Sequence, residues 1–184
     1  LLVLDEIQTG MGRTGFNFAY QHDSRFGNLG PDVLILGKAL GGGMLPVSAV
    51  LASDEVMGVI KPGDHGSTFG GSPLACAVAV EAIRVLEEEG LVPRARKLGE
   101  YFLSELKKIR SPLLKEARGR GLLIGLELAK KKGVGRRFCE AMLKQGVLCK
   151  DTRDNVVRFA PPLIIKRVEL DWALERIERV LRSF

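Results

Sequence analysis

The chain has 184 residues, of which 46% are hydrophobic and 27% are charged, and its formal net charge is +6. This composition is globular and excludes a disordered chain, and no apolar run is long enough to cross a bilayer. We therefore expect a soluble protein of the cytoplasm, or of the mitochondrial matrix in a eukaryote. Basic residues alternate with acidic ones in most segments, which favours ion-paired helix faces over a nucleic-acid-binding stripe. The exception is the lysine run at 130–132 together with Arg136 and Arg137.

The chain opens on the apolar run Leu1–Leu4, which is typical of a buried strand, and it has no initiator Met. We therefore expect a piece of a longer protein. Its three cysteines, Cys76, Cys139 and Cys149, form no CxxC pair. That favours free thiols in a reducing compartment over a disulfide framework or a metal site. Each cysteine has apolar neighbours, so we expect small core residues.

Apolar runs bounded by turn residues predict the elements of the first half of the chain. We predict strands over 1–7 (with its end at Asp5), 33–36 and 47–51, a short helix over 54–60, a loop over 61–71 and a long helix over 73–89. Ser72 and Pro73 are an N-cap residue and a first-turn proline, and Gly90 is a typical helix stop.

The second half reads as a small α/β unit. We predict helices over 94–109, 135–145 and 169–181, and strands over 121–128, 147–149 and 156–160. The composition changes between residues 92 and 97. We therefore divide the chain into two domains, residues 1–95 and residues 96–184.

Residues 10–15 read Gly-Met-Gly-Arg-Thr-Gly and match the G-x-G-x-x-G pattern of dinucleotide-binding loops. That function needs the glycines directly after a strand and at the start of a helix. Here residues 6–9 intervene, and residues 16–30 lack an apolar helical stripe. We predict a mobile glycine loop instead.

Ionisable residues stand at the ends of two predicted buried strands. Asp5 follows Leu-Leu-Val-Leu, and Lys38 follows Val-Leu-Ile-Leu-Gly. In open α/β sheets ligands bind beyond the carboxyl ends of the strands, so both side chains can face one crevice. On spacing alone, a structural salt bridge explains the pair as well as a functional site does.

Longer strings around these residues carry a family resemblance. Residues 3–10 read Val-Leu-Asp-Glu-Ile-Gln-Thr-Gly, residues 36–43 read Leu-Gly-Lys-Ala-Leu-Gly-Gly-Gly, and residues 65–75 read His-Gly-Ser-Thr-Phe-Gly-Gly-Ser-Pro-Leu-Ala. Arg-Gly-Arg-Gly-Leu at 118–122 and Val-Arg-Phe-Ala-Pro-Pro-Leu at 157–163 continue the pattern. In this order the strings resemble the subgroup III aminotransferases over nearly the whole chain, and residues 61–63 and 160–162 look most like its ornithine-type members.

The resemblance implies an α/β protein with the type I fold of transferases dependent on pyridoxal 5′-phosphate (PLP). Residues 1–95 would be the C-terminal part of the PLP-binding large domain, and residues 96–184 the small C-terminal domain. The stretch 22–30 is longer than in the family. The family's upstream half, which senses the distal amine of the substrate, has no counterpart in this chain.

The resemblance also implies roles for residues around the cofactor. Lys38 would form the Schiff base with PLP, where burial would favour its neutral amine, and would move the substrate proton. Asp5 would pair with the pyridinium nitrogen, and Gln8 would hydrogen-bond the phenolic oxygen. Ser67 and Thr68 would bind the cofactor phosphate, that of the neighbouring subunit in a homodimer.

Arg158 would clamp a substrate carboxylate, a task that suits the bidentate guanidinium. Each residue also has an ordinary alternative: Lys38 as a surface lysine, Ser67 and Thr68 as turn residues, and Arg158 as an edge-strand charge that faces an acidic residue.

Three hypotheses on function stay open. They are transfer of the terminal amino group of ornithine to 2-oxoglutarate, the same chemistry on acetylornithine, 4-aminobutyrate or another ω-amine, and a chain that is inactive by itself. A nucleic-acid-binding module is a further alternative, which a steep salt dependence would reveal.

Overall fold

A computed structural model describes residues 1–27, 30–129 and 133–184 of the chain. The described residues form two compact units, Leu1–Val92 and Pro93–Phe184. The boundary predicted at residue 95 lies further along the chain, inside the helix Leu91–Lys108. The lysine run at 130–132 and two residues of the long stretch 22–30, those at 28 and 29, lie outside the described residues.

The first unit is built on a three-stranded sheet with the order β1-β2-β3. Strands β1 (Val3–Asp5) and β2 (Val33–Leu36) are parallel, and β3 (Ala49–Ala52) is antiparallel to β2. The helices are α1 (Ser24–Gly27), α2 (Asp54–Met57) and α3 (Pro73–Glu88), and 3₁₀ turns occupy Ala19–His22 and Lys38–Gly41. The long connection between β1 and β2 is what a parallel pair requires.

A small apolar core holds the first unit together. Leu34 and Leu36 are buried on one face of β2 and pack with Met11, Leu40 and Ala79. Leu40 belongs to the 3₁₀ turn that begins directly after β2, and Ala79 lies in α3. The core therefore fixes the backbone after β2 against a long helix.

Helix α3 begins where the sequence predicted. Pro73 occupies a first-turn position. A backbone N–H there would have no partner within the helix, so proline loses no hydrogen bond by lacking one. Ser72 is the N-cap residue, but its hydroxyl makes no capping hydrogen bond in the described structure, so that part of the prediction is wrong. Gly90 has φ +59 just after the helix, a backbone angle that glycine adopts without strain.

The second unit is a four-stranded antiparallel sheet with the order β4-β5-β7-β6, packed with helices. Its elements are α4 (Leu91–Lys108), β4 (Leu114–Arg120), β5 (Leu123–Leu128), α5 (Val134–Lys144), β6 (Lys150–Arg153), β7 (Val156–Phe159) and α6 (Arg167–Ser183). Burial alternates along β5, where Ile124, Leu126 and Leu128 face the core. Phe102 and Phe138 are almost fully buried from the helices.

Two strands of this unit depart from the sequence prediction. Strand β4 was not predicted, because Ala117 is its only buried residue and its other positions are largely charged or glycine. The strand predicted at 147–149 is instead β6, at Lys150–Arg153, while Val147 packs in the core just before it. Both β4 and β6 are edge strands of the sheet, so the alternating apolar pattern of a half-buried strand is weak in them.

The cysteines are free thiols in different surroundings. Cys139 is buried and Cys149 is half-buried, both in the second unit. Cys76 is exposed on α3, so its predicted place in a core is wrong for this chain. Among the residues that the structure describes, no group of three or more potential metal ligands is assembled.

Ion pairs follow the exposed faces of the helices, as the alternating charges predicted. In α3, Arg84 binds both Glu81 and Glu88, and in α5 Arg136 binds Glu140 at 2.8 Å. Each such exposed pair contributes at most about 1 kcal/mol. None of the helices in the described part of the chain has the length and apolarity that a membrane crossing needs.

Candidate active site

The two parallel strands of the first unit end at one edge of its sheet. Asp5 is the last residue of β1 and pairs with Ile35 of β2, and Lys38 follows that strand after a single residue, Gly37. The sheet register therefore places Asp5 and Lys38 at the same edge, and both residues are exposed there. No ion pair joins them within the described part of the chain, so the salt-bridge alternative lacks support.

A hydrogen-bonded turn directly after β1 carries Asp5 and Gln8. The Glu6 N–H donates to a carbonyl of β2 at 2.9 Å, and the Gly10 N–H donates to the Glu6 carbonyl at 2.9 Å. The Ile7 N–H donates to the Asp5 carboxylate at 3.0 Å. Gln8 is half-buried between these anchors. The hydrogen bond from the Ile7 backbone N–H thus orients the Asp5 carboxylate.

Lys38 sits in an unusual backbone conformation. It begins the 3₁₀ turn with φ +43, in the left-handed region that non-glycine residues seldom adopt. A Cβ at Gly37 would lie 3.3 Å from the Ile7 side chain, so the glycine lets Ile7 pack tightly just ahead of Lys38. Strain of this kind persists only where the surrounding structure imposes it, and it is concentrated at functional sites.

Residues 10–15, which match the dinucleotide-binding pattern, are packed inside the first unit. All of them except Arg13 are buried, and the buried Met11 has φ +56. No helix opens at Gly15, and the next helical residues are the 3₁₀ turn Ala19–His22. The segment is therefore not a dinucleotide-binding loop. It is a turn without regular secondary structure and is largely buried, and its mobility stays a prediction.

Ser67 and Thr68 lie in the exposed stretch 61–71, ahead of α3. The Ser67 hydroxyl accepts a hydrogen bond from the Gly70 N–H at 2.9 Å, which is a turn contact. Within the described residues, no hydrogen bond joins Ser67 or Thr68 to the strand-edge residues. The chain by itself therefore does not bring this pair into the site of Asp5 and Lys38.

Arg158 lies in the second unit, in β7 between β5 and β6. It pairs with Gly125 on one side and Lys150 on the other, and it is half-buried. The edge-strand alternative is wrong, because β7 is an inner strand. Among the described residues, no acidic side chain forms an ion pair with Arg158, which leaves its guanidinium available to a carboxylate ligand.

Glu6 is not among the site residues predicted from the sequence, but the fold buries it directly beside Asp5. Glu6 is only 4% exposed. Its carboxylate accepts one hydrogen bond from the Tyr20 N–H at 2.9 Å and another from the Thr9 hydroxyl. The only signal in the sequence was its place beside Asp5, and the partner at Tyr20 is brought near only by the fold.

The fold and the strand-edge residues together define the class of protein. A lysine and a carboxylate at the ends of parallel strands, followed by a small α/β unit, form the C-terminal portion of the type I fold of PLP-dependent aminotransferases, and solved structures of such enzymes superpose on the chain. The chain matches Aminotransferase class-III over residues 1–181, and it belongs to that family.

Two curated relatives show which members of this family the chain is similar to. The chain is 55% identical to ornithine aminotransferase from Bacillus subtilis over 183 residues, which are 100% of this chain and 44% of that protein. It is 57% identical to ornithine aminotransferase 2 from Staphylococcus saprophyticus over 180 residues, again 44% of that protein and 98% of the chain. The chain therefore spans less than half the length of these curated relatives.

Solved structures give the same picture. The ornithine aminotransferase from Toxoplasma gondii ME49 superposes with a TM-score of 0.91 at 46% identity, over 98% of this chain and 43% of its own. The acetylornithine aminotransferase from Elizabethkingia anophelis superposes with a TM-score of 0.89, also at 46% identity, over 97% of this chain and 45% of its own. Overall likeness to these two structures does not separate the two substrates.

Proposed function

We propose that the full-length protein is a PLP-dependent aminotransferase that moves the terminal amino group of ornithine to 2-oxoglutarate. The products would be glutamate 5-semialdehyde and glutamate. The observation that carries the proposal is the strand-edge pair of Asp5 and Lys38 in a chain of which 98% or more aligns with curated ornithine aminotransferases at 55–57% identity. Such a reaction would serve proline biosynthesis and arginine catabolism in the cytoplasm.

The strand-edge residues fit PLP in their chemistry. Asp5 offers an exposed carboxylate, already oriented by the Ile7 N–H, to a protonated ring nitrogen. Gln8 offers an amide donor to the phenolic oxygen. Lys38 offers an exposed primary amine at the same edge, by which it would hold the cofactor covalently. Bound PLP supplies an electron sink for the substrate carbanion.

Residues of this chain would then perform the binding and proton-transfer tasks. Once substrate has displaced it, the Lys38 amine would take the proton from the substrate carbon and return it on the cofactor side. Arg158 would hold a substrate carboxylate with two parallel N–H donors. The burial that we expected around Lys38 is not provided by this chain, in which Lys38 is exposed. We infer that the rest of the subunit supplies it.

Ser67 and Thr68 would serve the cofactor phosphate of a neighbouring subunit in a homodimer. Their hydroxyls stand in a glycine-containing, exposed stretch ahead of a helix, a setting that suits an anion. We therefore expect the 184-residue chain to show little transaminase activity alone, since it holds only part of the pocket. A robust rate from the isolated chain would contradict this.

The cofactor assignment is tested by a spectrum of the full-length protein. A lysine-bound PLP absorbs in the visible, and borohydride reduction converts it into a stable adduct on one peptide. We expect the visible band and the adduct to vanish in Lys38→Ala and to survive in Lys97→Ala, which removes an exposed lysine of α4. An unchanged spectrum in Lys38→Ala would remove the central claim.

The amino donor is tested separately, because an ω-amine such as acetylornithine or 4-aminobutyrate is the main alternative substrate. The likeness to the Elizabethkingia enzyme at 46% identity keeps acetylornithine in the comparison. We would measure kcat/KM of the full-length protein for ornithine, acetylornithine and 4-aminobutyrate with 2-oxoglutarate as acceptor. We expect ornithine to be the best donor, and absence of ornithine turnover would refute the assignment.

A further inference from the structure

Glu6 is a buried carboxylate at the base of the strand-edge site. All four of its polar groups are engaged: the N–H with β2, the carbonyl with Gly10, and the two carboxylate oxygens with Tyr20 and Thr9. It therefore ties the end of β1 to three other segments of the first unit. Asp5 stands immediately before it and Gln8 two residues after it.

We propose that Glu6 is a positioning residue for the cofactor site, a role that rests on the function proposed above. Its carboxylate fixes the turn 5–10, so that the Asp5 carboxylate and the Gln8 amide stand at set positions beside the cofactor ring. Through Ile7, which packs against Gly37, the same turn also supports the chain that leads into Lys38.

The turn 5–10 has few anchors other than the hydrogen bonds of Glu6. Residues 5–9 include no member of the buried apolar core of the unit, so apart from the packing of Ile7 on Gly37 their conformation depends on hydrogen bonds. Without the Glu6 carboxylate, which is itself buried, the half-buried Tyr20 N–H and Thr9 hydroxyl would lose their acceptor. Unsatisfied buried polar groups are unfavourable enough to make a short turn rearrange. Asp5 and Gln8 would move with it.

Gly10 shows how closely the turn is built on Glu6. A Cβ at position 10 would lie 2.9 Å from the Glu6 carbonyl oxygen and 3.3 Å from the Glu6 Cβ. Gly10 is not among the glycines with positive φ. Glycine is therefore needed at this position for the close approach to Glu6 and not for its backbone angle. Gly10, at the far end of the turn 5–10, is therefore packed and hydrogen-bonded directly on Glu6.

Glu6→Gln is the conservative variant. The glutamine oxygen can accept from the Tyr20 N–H, and its NH₂ group can donate to the Thr9 hydroxyl oxygen, because a hydroxyl is both donor and acceptor. Glu6→Ala removes both bonds. A positioning role predicts that glutamine rescues what alanine loses, whereas a role that required the negative charge would treat both variants alike.

The chain offers a matched pair of hydroxyl deletions. Thr9 donates to Glu6, whereas the Thr14 hydroxyl is buried and has no hydrogen-bond partner among the described residues. Thr9→Val and Thr14→Val remove the same atoms from the same segment of chain. Only Thr9→Val breaks the link to Glu6, so it tests the proposal even if Glu6→Ala does not fold.

The experiment uses full-length apoprotein titrated with PLP and followed by its visible absorbance. We expect Glu6→Ala to raise the dissociation constant of PLP at least about tenfold, the scale of a lost hydrogen bond to a charged group, and to shift the visible band. Thr9→Val should raise it about threefold or more in the same direction. Glu6→Gln and Thr14→Val should stay within about twofold of the parent.

A second readout is independent of cofactor and activity. Hydrogen exchange in the apoprotein should accelerate at Tyr20 in Glu6→Ala and not in Glu6→Gln, because the Tyr20 amide donates to the Glu6 carboxylate. Exchange at Gly10 should also accelerate if the turn rearranges, because the Gly10 amide donates to the Glu6 backbone carbonyl within that turn. Faster exchange together with weaker PLP binding supports positioning. Parent-like PLP affinity and spectrum in Glu6→Ala and Thr9→Val would overturn the proposal, even if the variants were less stable.

The outcomes also separate this proposal from the function on which it rests. If the parent protein binds no PLP and yields no borohydride adduct, the proposed function fails. If the parent binds PLP on Lys38 and the four variants bind it equally well, only the role of Glu6 fails.

Discussion

Gly99 provides a prediction in which helix propensity and packing have opposite signs. It lies inside α4, where replacing glycine by alanine ordinarily stabilises a helix by about 1 kcal/mol. A Cβ at Gly99, however, would approach the Gly121 backbone closer than 3.0 Å, a separation that real Cβ atoms essentially never show. The obstruction is backbone and not the end of a flexible side chain, so α4 and the turn between β4 and β5 would have to move apart.

We expect Gly99→Ala to lower the free energy of unfolding by about 2 kcal/mol. Overpacking costs about 1–3 kcal/mol and more when the backbone must shift. Three backbone atoms of Gly121 meet the new methyl group, so we expect a packing cost at the upper end of that range, about 3 kcal/mol. The helix propensity of alanine offsets about 1 kcal/mol of that cost. Gly99 and Gly121 both lie in the second unit, Pro93–Phe184, and at about 4–8 °C per kcal/mol for a unit of that size its Tm should fall by about 8–16 °C.

The control is Gly125→Ala in β5. A Cβ at Gly125 would have its nearest neighbour at 3.7 Å, an ordinary van der Waals contact with Val156. That variant should be neutral or more stable by up to about 1 kcal/mol, since alanine loses less backbone entropy than glycine. We would measure the free energy of unfolding of both variants and of the parent in urea and by heating. A Gly99→Ala protein as stable as the parent, or more so, would refute the packing argument.

Three further predictions concern single groups. Burial raises the pKa of the Cys149 and Cys139 thiols, so a thiol reagent at about pH 8 should modify them at least about tenfold more slowly in native protein than in denaturant, and equal rates would contradict this. A hydrogen bond from Lys115, with a neighbouring arginine, lowers the pKa of Glu127 below its ordinary 4.5. Its stabilising contribution is present above pH 4.5 and is lost as the pH falls through the lowered pKa, so Glu127→Gln should flatten the acid limb of the stability curve, and an unchanged limb would exclude the contribution. Because Lys38 has φ +43, Lys38→Gly should be more stable to urea than Lys38→Ala by about 1 kcal/mol, and the reverse order would remove the strain argument.

The sequence predicted the strand-edge site because its signal is local. A run of apolar residues from Val33 to Leu36, stopped by Gly37, predicts a buried strand, and β2 has those bounds. Lys38 comes next, so its place beyond the strand follows from chain order alone. The placement of Asp5 at the same edge needed one more step, the parallel pairing of β1 and β2, which the general rule for ligand sites in open α/β sheets supplied.

What the sequence could not predict depends on contacts between distant segments. The buried Glu6 carboxylate accepts its hydrogen bond from Tyr20, which lies 14 residues away, and no periodicity marks that contact. The left-handed backbone at Lys38 follows from how the turn is held on the core, not from a residue preference. Strand β4 is exposed along most of its length, so its sequence lacks the alternation by which strands are found.

The two units should differ in stability when the 184-residue chain is isolated. In the described residues, 18 buried side chains form the core of the second unit, and five form that of the first. The first unit also leaves large apolar side chains exposed, among them Val50 at 55%, Leu74 at 66% and Phe69 at 85%. Since buried apolar area is the main source of stability, the first unit, which carries Asp5 and Lys38, should unfold first.

The single tryptophan of the chain makes this measurable. Trp172 lies in α6 of the second unit, so its fluorescence reports on that unit alone, whereas far-ultraviolet circular dichroism reports on both. We expect the dichroism of the isolated chain to begin its decline at a lower urea concentration than the fluorescence change. Coincident transitions would mean that the units unfold as one and would contradict the argument from their cores. Early loss of the first unit would also give a physical reason for the inactivity that we expect of the isolated chain.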